Sequence, residues 1–271
     1  MTTATTPLRT GRVTQLRVLN SEWIKLRTLR STFWSLFAAV VATMGLGMLF
    51  SWGFASRLSD HARPIEHAAT MAVTVPLRPY VIAQLAVGVL GVMVITGEYS
   101  TGMIRATLSA VPGRLPVLWA KAVVFSVVVL VLMEIVSFVT FLGGEAILSS
   151  QHVQATLSSP QALRIVAGVG FYLTVVGLLG TALGAIIRST AGAIAALFGI
   201  LLVLPVLGEV LNLTSWGRHI TPYLPSNAGG DLLTNAPEPG SLGPWTGFGV
   251  FVLYTAIAMA VAAYLLKRRD A

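Results

Sequence analysis

The 271-residue chain has no cysteine, only 4 histidines and few charges, with 10% of its residues Asp, Glu, Lys or Arg. The absence of cysteine excludes a disulfide scaffold, a thiolate metal site and thiol redox chemistry. His61, His67, His152 and His219 follow no usual ligand spacing, so no metal site is expected. There is also no Gly-Lys pair, and hence no G-x-x-x-x-G-K-[ST] loop to cradle a nucleotide's phosphates. Charge is too scarce for a soluble surface, which normally carries about a quarter charged residues. Disorder is excluded by the opposite property, because 55% of the residues are hydrophobic and the mean hydropathy is +0.80.

What the chain does have is long apolar runs. Six are long enough to cross a hydrocarbon layer of about 30 Å: 33–54, 80–97, 117–142, 164–187, 191–210 and 245–266. The expected fold is therefore all-α, a polytopic membrane domain over 32–271 with six transmembrane helices. Runs four and five are separated only by Arg188, Ser189 and Thr190; a single helix of that length would reach about 70 Å, so two antiparallel spans with a tight turn are expected.

The net charge of +8 is explained by topology. With the N-terminus in the cytoplasm, 13 of the 18 lysines and arginines lie on the inner side, among them Lys25, Arg27, Arg105, Arg114, Lys121 and Arg188. Both termini are thus expected to be cytoplasmic, in a cell (plasma) membrane, and nucleic acid is not an expected partner. The first apolar run begins near residue 32 with no small-residue cleavage site after it, so its retention is expected; residues 1–11, rich in threonine, read as a disordered cytoplasmic tail.

Residues 12–31 read as an interfacial amphipathic helix. A projection at 100° per residue puts Leu16, Leu19, Trp23 and Leu26 on one side and Arg17, Ser21, Lys25 and Thr28 on the other. The apolar side suits the acyl boundary, with Lys25 and Arg27 reaching lipid headgroups; packing of the same helix on another subunit is the alternative.

Between the second and third runs, the segment Gly97-Glu98-Tyr99-Ser100-Thr101-Gly102-Met103-Ile104-Arg105 continues through Leu108 to Pro112-Gly113-Arg114. Ser100 or Thr101 is expected to cap a short cytoplasmic helix exposing Met103, Ile104 and Leu108, which Pro112-Gly113 ends. Such an apolar knob calls for a partner.

Inside the spans, Glu134 lies about 7 Å outward of the third run's midpoint at 1.5 Å per residue, on a face shared with Ser126, Leu130, Ser137 and Phe141. It reads either as lining a polar cavity or as an interhelix tie. Gly177, Gly180 and Gly184 form a small-residue stripe for close helix packing. The stretch between 211 and 244 places Trp216, Ile220, Tyr223, Leu224, Leu232 and Leu233 among prolines and glycines, and is expected to fold back on the membrane.

Three segments carry a likeness to a known family: Ser21-Glu22-Trp23-Ile24-Lys25-Leu26-Arg27-Thr28-Leu29-Arg30-Ser31, the Gly97–Arg114 stretch just quoted, and Tyr223-Leu224-Pro225-Ser226-Asn227-Ala228-Gly229. They resemble the elbow helix, the coupling-helix segment and the pre-terminal segment of a type-2 ATP-binding-cassette (ABC) exporter permease of the actinobacterial-like branch. Met103 departs from the threonine more usual there. The resemblance implies a subunit without catalytic residues, working as a permease homodimer with two separate ABC ATPase subunits that bind ATP and Mg. It further implies that the ATPase grips Glu98, Tyr99, Gly102, Met103, Ile104, Arg105, Leu108 and Arg114, and that short re-entrant helices precede the last span. A membrane scaffold or sensor that moves nothing, and a proton-coupled transporter acting through Glu134, are the alternative functions.

Overall fold

The computed structural model describes residues 14–60, 68–104, 114–150, 153, 156–159, 161–235 and 240–268. These are helical almost throughout, with no strand among the described residues. Six helices are long and apolar enough to cross a membrane: Arg30–Leu58, Met71–Ser100, Leu115–Ser149, Ala162–Ile187, Thr190–Leu211 and Pro244–Arg268. The expected class, an all-helical multi-pass membrane protein with six spans, is what the chain forms.

In chain order, α1 (Gln15–Thr28) is followed by α2 (Arg30–Asp60), α3 (Ala68–Thr74) with a 3-10 turn at Val75–Leu77, and α4 (Tyr80–Ser100). Then come α5 (Arg114–Ser149) and α6 (Ala162–Ile187). The fifth span is α7 (Thr190–Phe198), a π turn at Gly199–Val203 and α8 (Leu204–Leu211). Short helices α9 (Gly217–Ile220) and α10 (Pro225–Gly230) lead to α11 (Pro244–Arg268), the last span.

The helices outrun the apolar stretches that announce them. α5 has 36 residues, about 54 Å at 1.5 Å per residue, rather than stopping at 142. Gly143 and Gly144 do not break it, because the space a side chain would take is filled by Met48 at Gly143 and by Pro76 and Ser51 at Gly144. Packing offsets the glycine penalty of about 1 kcal/mol each.

α6 is the central element, with Val166, Val169, Leu173 and Val176 inaccessible to solvent. It lies backbone to backbone on α4. A Cβ on Gly91 would overlap the carbonyl oxygen of Gly177, one on Gly180 the carbonyl of Gly88, and one on Gly184 would stand 2.9 Å from the carbonyl of Val92. The Thr181 hydroxyl donates across this seam to the Gly91 carbonyl at 3.1 Å. The glycine stripe thus packs helices, as expected from its spacing.

The turn between the fourth and fifth spans is as short as the sequence demands. Arg188 adopts φ 60°, and the Ser189 hydroxyl accepts from the Gly192 N–H to cap α7. The fifth span's π turn has a local cause: Pro205 has no N–H to offer the carbonyl one turn before it. Ser226 of α10 supplies hydroxyl bonds there instead, to the carbonyls of Ile200 at 2.9 Å and Leu201 at 3.3 Å.

The stretch before α11 folds back into the bundle. Ala228 and Leu232 are fully buried, Gly229 leaves no room for a Cβ against Tyr172 and Phe251, and Leu232 and Leu233 fill the space beside Gly168. Outside this core a belt of large apolar side chains is exposed, including Phe33, Trp34, Trp52, Val131, Ile135, Val206 and Ile257, the surface expected of helices solvated by lipid.

Candidate functional site: a buried ring of charges

The buried stripe of α1 is Val18, Glu22 and Leu26, spaced i, i+4. It is rotated relative to the apolar side expected from the sequence: Leu26 is buried and Leu19 half-buried, but Leu16 and Trp23 are exposed on the outer flank. The rotation carries a carboxylate into the protein. Arg27 stays exposed, whereas Lys25, expected at headgroups, turns inward and bonds to protein.

Four charged side chains from three helices close a ring. Lys25 Nζ lies 2.9 Å from Glu22 Oε1 and 2.8 Å from Glu98 Oε1; Lys121 Nζ lies 2.6 Å from Glu22 Oε2 and 2.6 Å from the same Glu98 oxygen. Glu22 and Lys25 come from α1, Glu98 from the last turn of α4 and Lys121 from the third turn of α5. Glu22, Glu98 and Lys121 are 3%, 6% and 2% exposed. Charges so buried are tolerated only when paired, and two carboxylates alternating with two ammonium groups leave the ring neutral. Burial works against the charge on Lys25, and the hydrogen bonds and negative charge of Glu98 and Glu22 outweigh it, so its pKa is raised above the usual lysine value.

One acceptor in the ring is left over. Glu98 Oε2 is buried and has no hydrogen-bond partner among the described residues. All four ring residues line a cavity of about 250 Å³ whose apolar walls are Leu26 and Leu29, Leu90, Met93 and Val94, and Val124.

The end of α4 leads into the segment between the second and third spans. The Ser100 and Thr101 hydroxyls both donate back to the Gly97 carbonyl, at 3.0 and 2.8 Å, and so help to close α4; the body of the short helix they were expected to cap lies outside the described residues. Gly102 then turns at φ 70°, a left-handed conformation open to glycine at no steric cost. Met103 is exposed, as expected, but Ile104 is buried: the reversal at Gly102 sends consecutive side chains to opposite sides. Arg105 and Leu108 lie outside the described residues, and so does the side chain of Arg114 at the start of α5. Tyr99 receives the Arg188 guanidinium 5.1 Å from its ring centroid, a cation–π contact joining α4 to the turn between spans four and five.

Glu134 faces α6. A Cβ on Gly170 would stand 2.5 Å from its Oε1, so the glycine makes room for the carboxylate. That oxygen has no hydrogen-bond partner among the described residues, and neither Ser126 nor Ser137 is bonded to it; the Ser137 hydroxyl donates to the Val166 carbonyl. Glu134 does not border the cavity beside the ring.

Glu22 and Lys121 are members of the ring that the sequence did not single out. A lysine early in an apolar run and a glutamate three residues before Lys25 were the visible signals. Their convergence was not visible, since 99 residues separate them. Gln84, which accepts from the buried Tyr172 hydroxyl at 2.7 Å, gave no signal beyond being polar within a span.

No protein-family model and no curated protein matches this chain.

Proposed function

We propose that the chain is the membrane permease subunit of an ATP-driven ABC exporter, working as a dimer with two separate ATPase subunits and moving a hydrophobic or amphiphilic compound, peptide or lipid. The observation that carries the reading is the ring of Glu22, Lys25, Glu98 and Lys121. It clamps together α1 and the two helix ends that flank residues 101–113, the three segments whose sequences resemble the elbow helix and the borders of a coupling segment. A push on that segment from a cytosolic engine is then passed to two spans and the elbow helix as one body. A loosely tethered loop would absorb it.

The rest of the geometry supports the same reading. Arg188 stacks on Tyr99, and Leu266 near the end of α11 packs in one cluster with Ile95 and Leu118. The α1 end of the bundle therefore also gathers the basic turn and the C-terminal Lys267 and Arg268, the arrangement that positive-inside retention favours for a cytoplasmic face. ATP binding on partner subunits would draw them together and bias the permease pair between inward- and outward-facing states. The chain contributes differential binding of cargo in those states, with lipid around its exposed belt.

The test is purification from native membrane with mass spectrometry of copurifying proteins, followed by reconstitution in vesicles. Two ATPase copies per permease pair and ATP hydrolysis stimulated by cargo are expected. Residues 98–114 reacting with a membrane-impermeant label from outside intact cells would overturn the proposal, and partner binding without ATP-dependent movement of any cargo would favour a scaffold.

A further inference from the structure

Leu29 interrupts the chain between α1 and α2 with an extended backbone, at ψ 122°. The first backbone hydrogen bond that α2 donates runs from the Phe33 N–H to the Leu29 carbonyl at 3.3 Å, so the N–H groups of Arg30, Ser31 and Thr32 have no backbone acceptor among the described residues. A helix of 31 residues thus opens on unmatched donors at its positive end.

Thr32 adds a second, independent mismatch. It is 5% exposed, yet its hydroxyl has no hydrogen-bond partner among the described residues. Buried threonines elsewhere in the spans bond one turn back, Thr43 to Ala39 at 2.8 Å, Thr140 to Val136 at 2.7 Å and Thr255 to Phe251 at 3.1 Å. For Thr32 that carbonyl belongs to Thr28, which ends α1 on the far side of the break. Ser31 and Thr32 both line the cavity of about 250 Å³ beside the ring.

The ring closes another side of the cavity. Its charges cancel, but its exposure is uneven: the side chains of Lys121, Glu22 and Glu98 are 2%, 4% and 7% accessible, whereas that of Lys25 is 26% accessible. The open corner of a neutral ring is therefore its cation.

We infer that this cavity binds a membrane phospholipid, its phosphate accepting hydrogen bonds at the start of α2 from Thr32, Ser31 and the first N–H groups, and one acyl chain lying against Leu90, Met93 and Val94. Phosphate oxygens accept and do not donate, which answers a wall of unmatched donors at a helix N-terminus beside an accessible ammonium. The two carboxylates of the ring are enclosed and paired with lysines, so they offer a cationic head little to bind. Hydrocarbon walls commit the phosphate to a lipid rather than to a free ion. The inference does not depend on whether an ATPase drives the chain.

The experiment uses the full-length protein in dodecyl maltoside, a detergent without phosphate. Two photoreactive probes with the same diazirine-bearing acyl chains are compared, a phosphatidylglycerol and a diacylglycerol, and labelled peptides are mapped by mass spectrometry. The phosphatidylglycerol probe is expected to label the Leu90–Val94 stretch about tenfold more, the size of one hydrogen bond to a charged group. Thr32→Val keeps the shape, removes the hydroxyl and should bring this labelling down toward the level of the diacylglycerol. Val94→Phe narrows the cavity without touching α2 and should reduce it as well, which keeps the test decisive should the Thr32 variant fail to fold. Unlabelled phosphatidylglycerol should displace the probe and inorganic phosphate should not. Equal labelling by the two probes, phosphatidylglycerol labelling that survives either substitution, or displacement by inorganic phosphate would overturn the inference.

Discussion

Lys121 Nζ lies 2.6 Å from Glu98 Oε1, so a buried charge pair joins the start of the third span to the end of the second. Its partners fix what substitution does. A carboxylate and an ammonium together are tolerable in a low-dielectric site, and either one alone is not.

Lys121→Met leaves Glu22 and Glu98 with only Lys25 between them. Removing one partner of a buried pair costs about 3–5 kcal/mol. Thermal unfolding in detergent, followed by tryptophan fluorescence, should show a large drop in midpoint, and adding Glu22→Gln should recover part of it. An unchanged midpoint in the single variant would mean that the ring does not hold these helices together.

The ring also has a pH signature. Folding raises the pKa of Lys25 above its ordinary 10.5, so its contribution is complete below that value and is lost as pH climbs through the raised one. Stability should fall on the alkaline side, and Lys25→Met should flatten that limb while lowering stability at neutral pH. Identical alkaline curves for the two proteins would contradict this.

Close approach of α4 and α6 predicts a contrast between glycines. Gly91→Ala places a methyl group on the Gly177 carbonyl and should destabilise by at least the roughly 1–3 kcal/mol typical of overpacking. Gly45→Ala and Gly249→Ala, on α2 and α11, meet nothing within 4 Å and should be neutral or gain up to about 1 kcal/mol in helix propensity. The three are compared by thermal unfolding in one detergent.

Ser226→Ala removes the hydroxyl that serves the carbonyls of Ile200 and Leu201 beside the π turn. The cost should be about 0.5–1.5 kcal/mol, confined to this region. Hydrogen exchange should speed up in Gly199–Val203 and in Pro225–Gly230, and remain unchanged in Ala162–Ile187.

Glu134→Gln keeps the shape that fits beside Gly170 and should leave expression and unfolding midpoint unchanged. Loss of export in that variant would place the carboxylate on the cargo pathway; full export would leave it a packing residue.

Span number, helical class and the tight turn at Arg188 were legible because each is local. Twenty apolar residues in a row declare a span wherever they sit, and the glycine stripe at 177, 180 and 184 needs only helical spacing to be read. The charge ring was half legible: Lys25 and Glu98 stood out in their own segments for different reasons, one as a headgroup contact and the other as part of a coupling loop. That Ser100 and Thr101 bond back to Gly97 was not legible, because a hydroxyl at a helix boundary serves the helix behind it as readily as the one ahead, and their sequence does not choose.

Local composition, then, determined that this is a helical protein with six spans long and apolar enough to cross a membrane. Tertiary structure alone decided that Glu22 faces Lys121 and that Glu98 and Lys25 close a ring with them. Hydropathy depends on which residues are near in the chain, whereas ion pairing depends on how each helix is rotated about its axis. That rotation is set by the packing of all the helices at once.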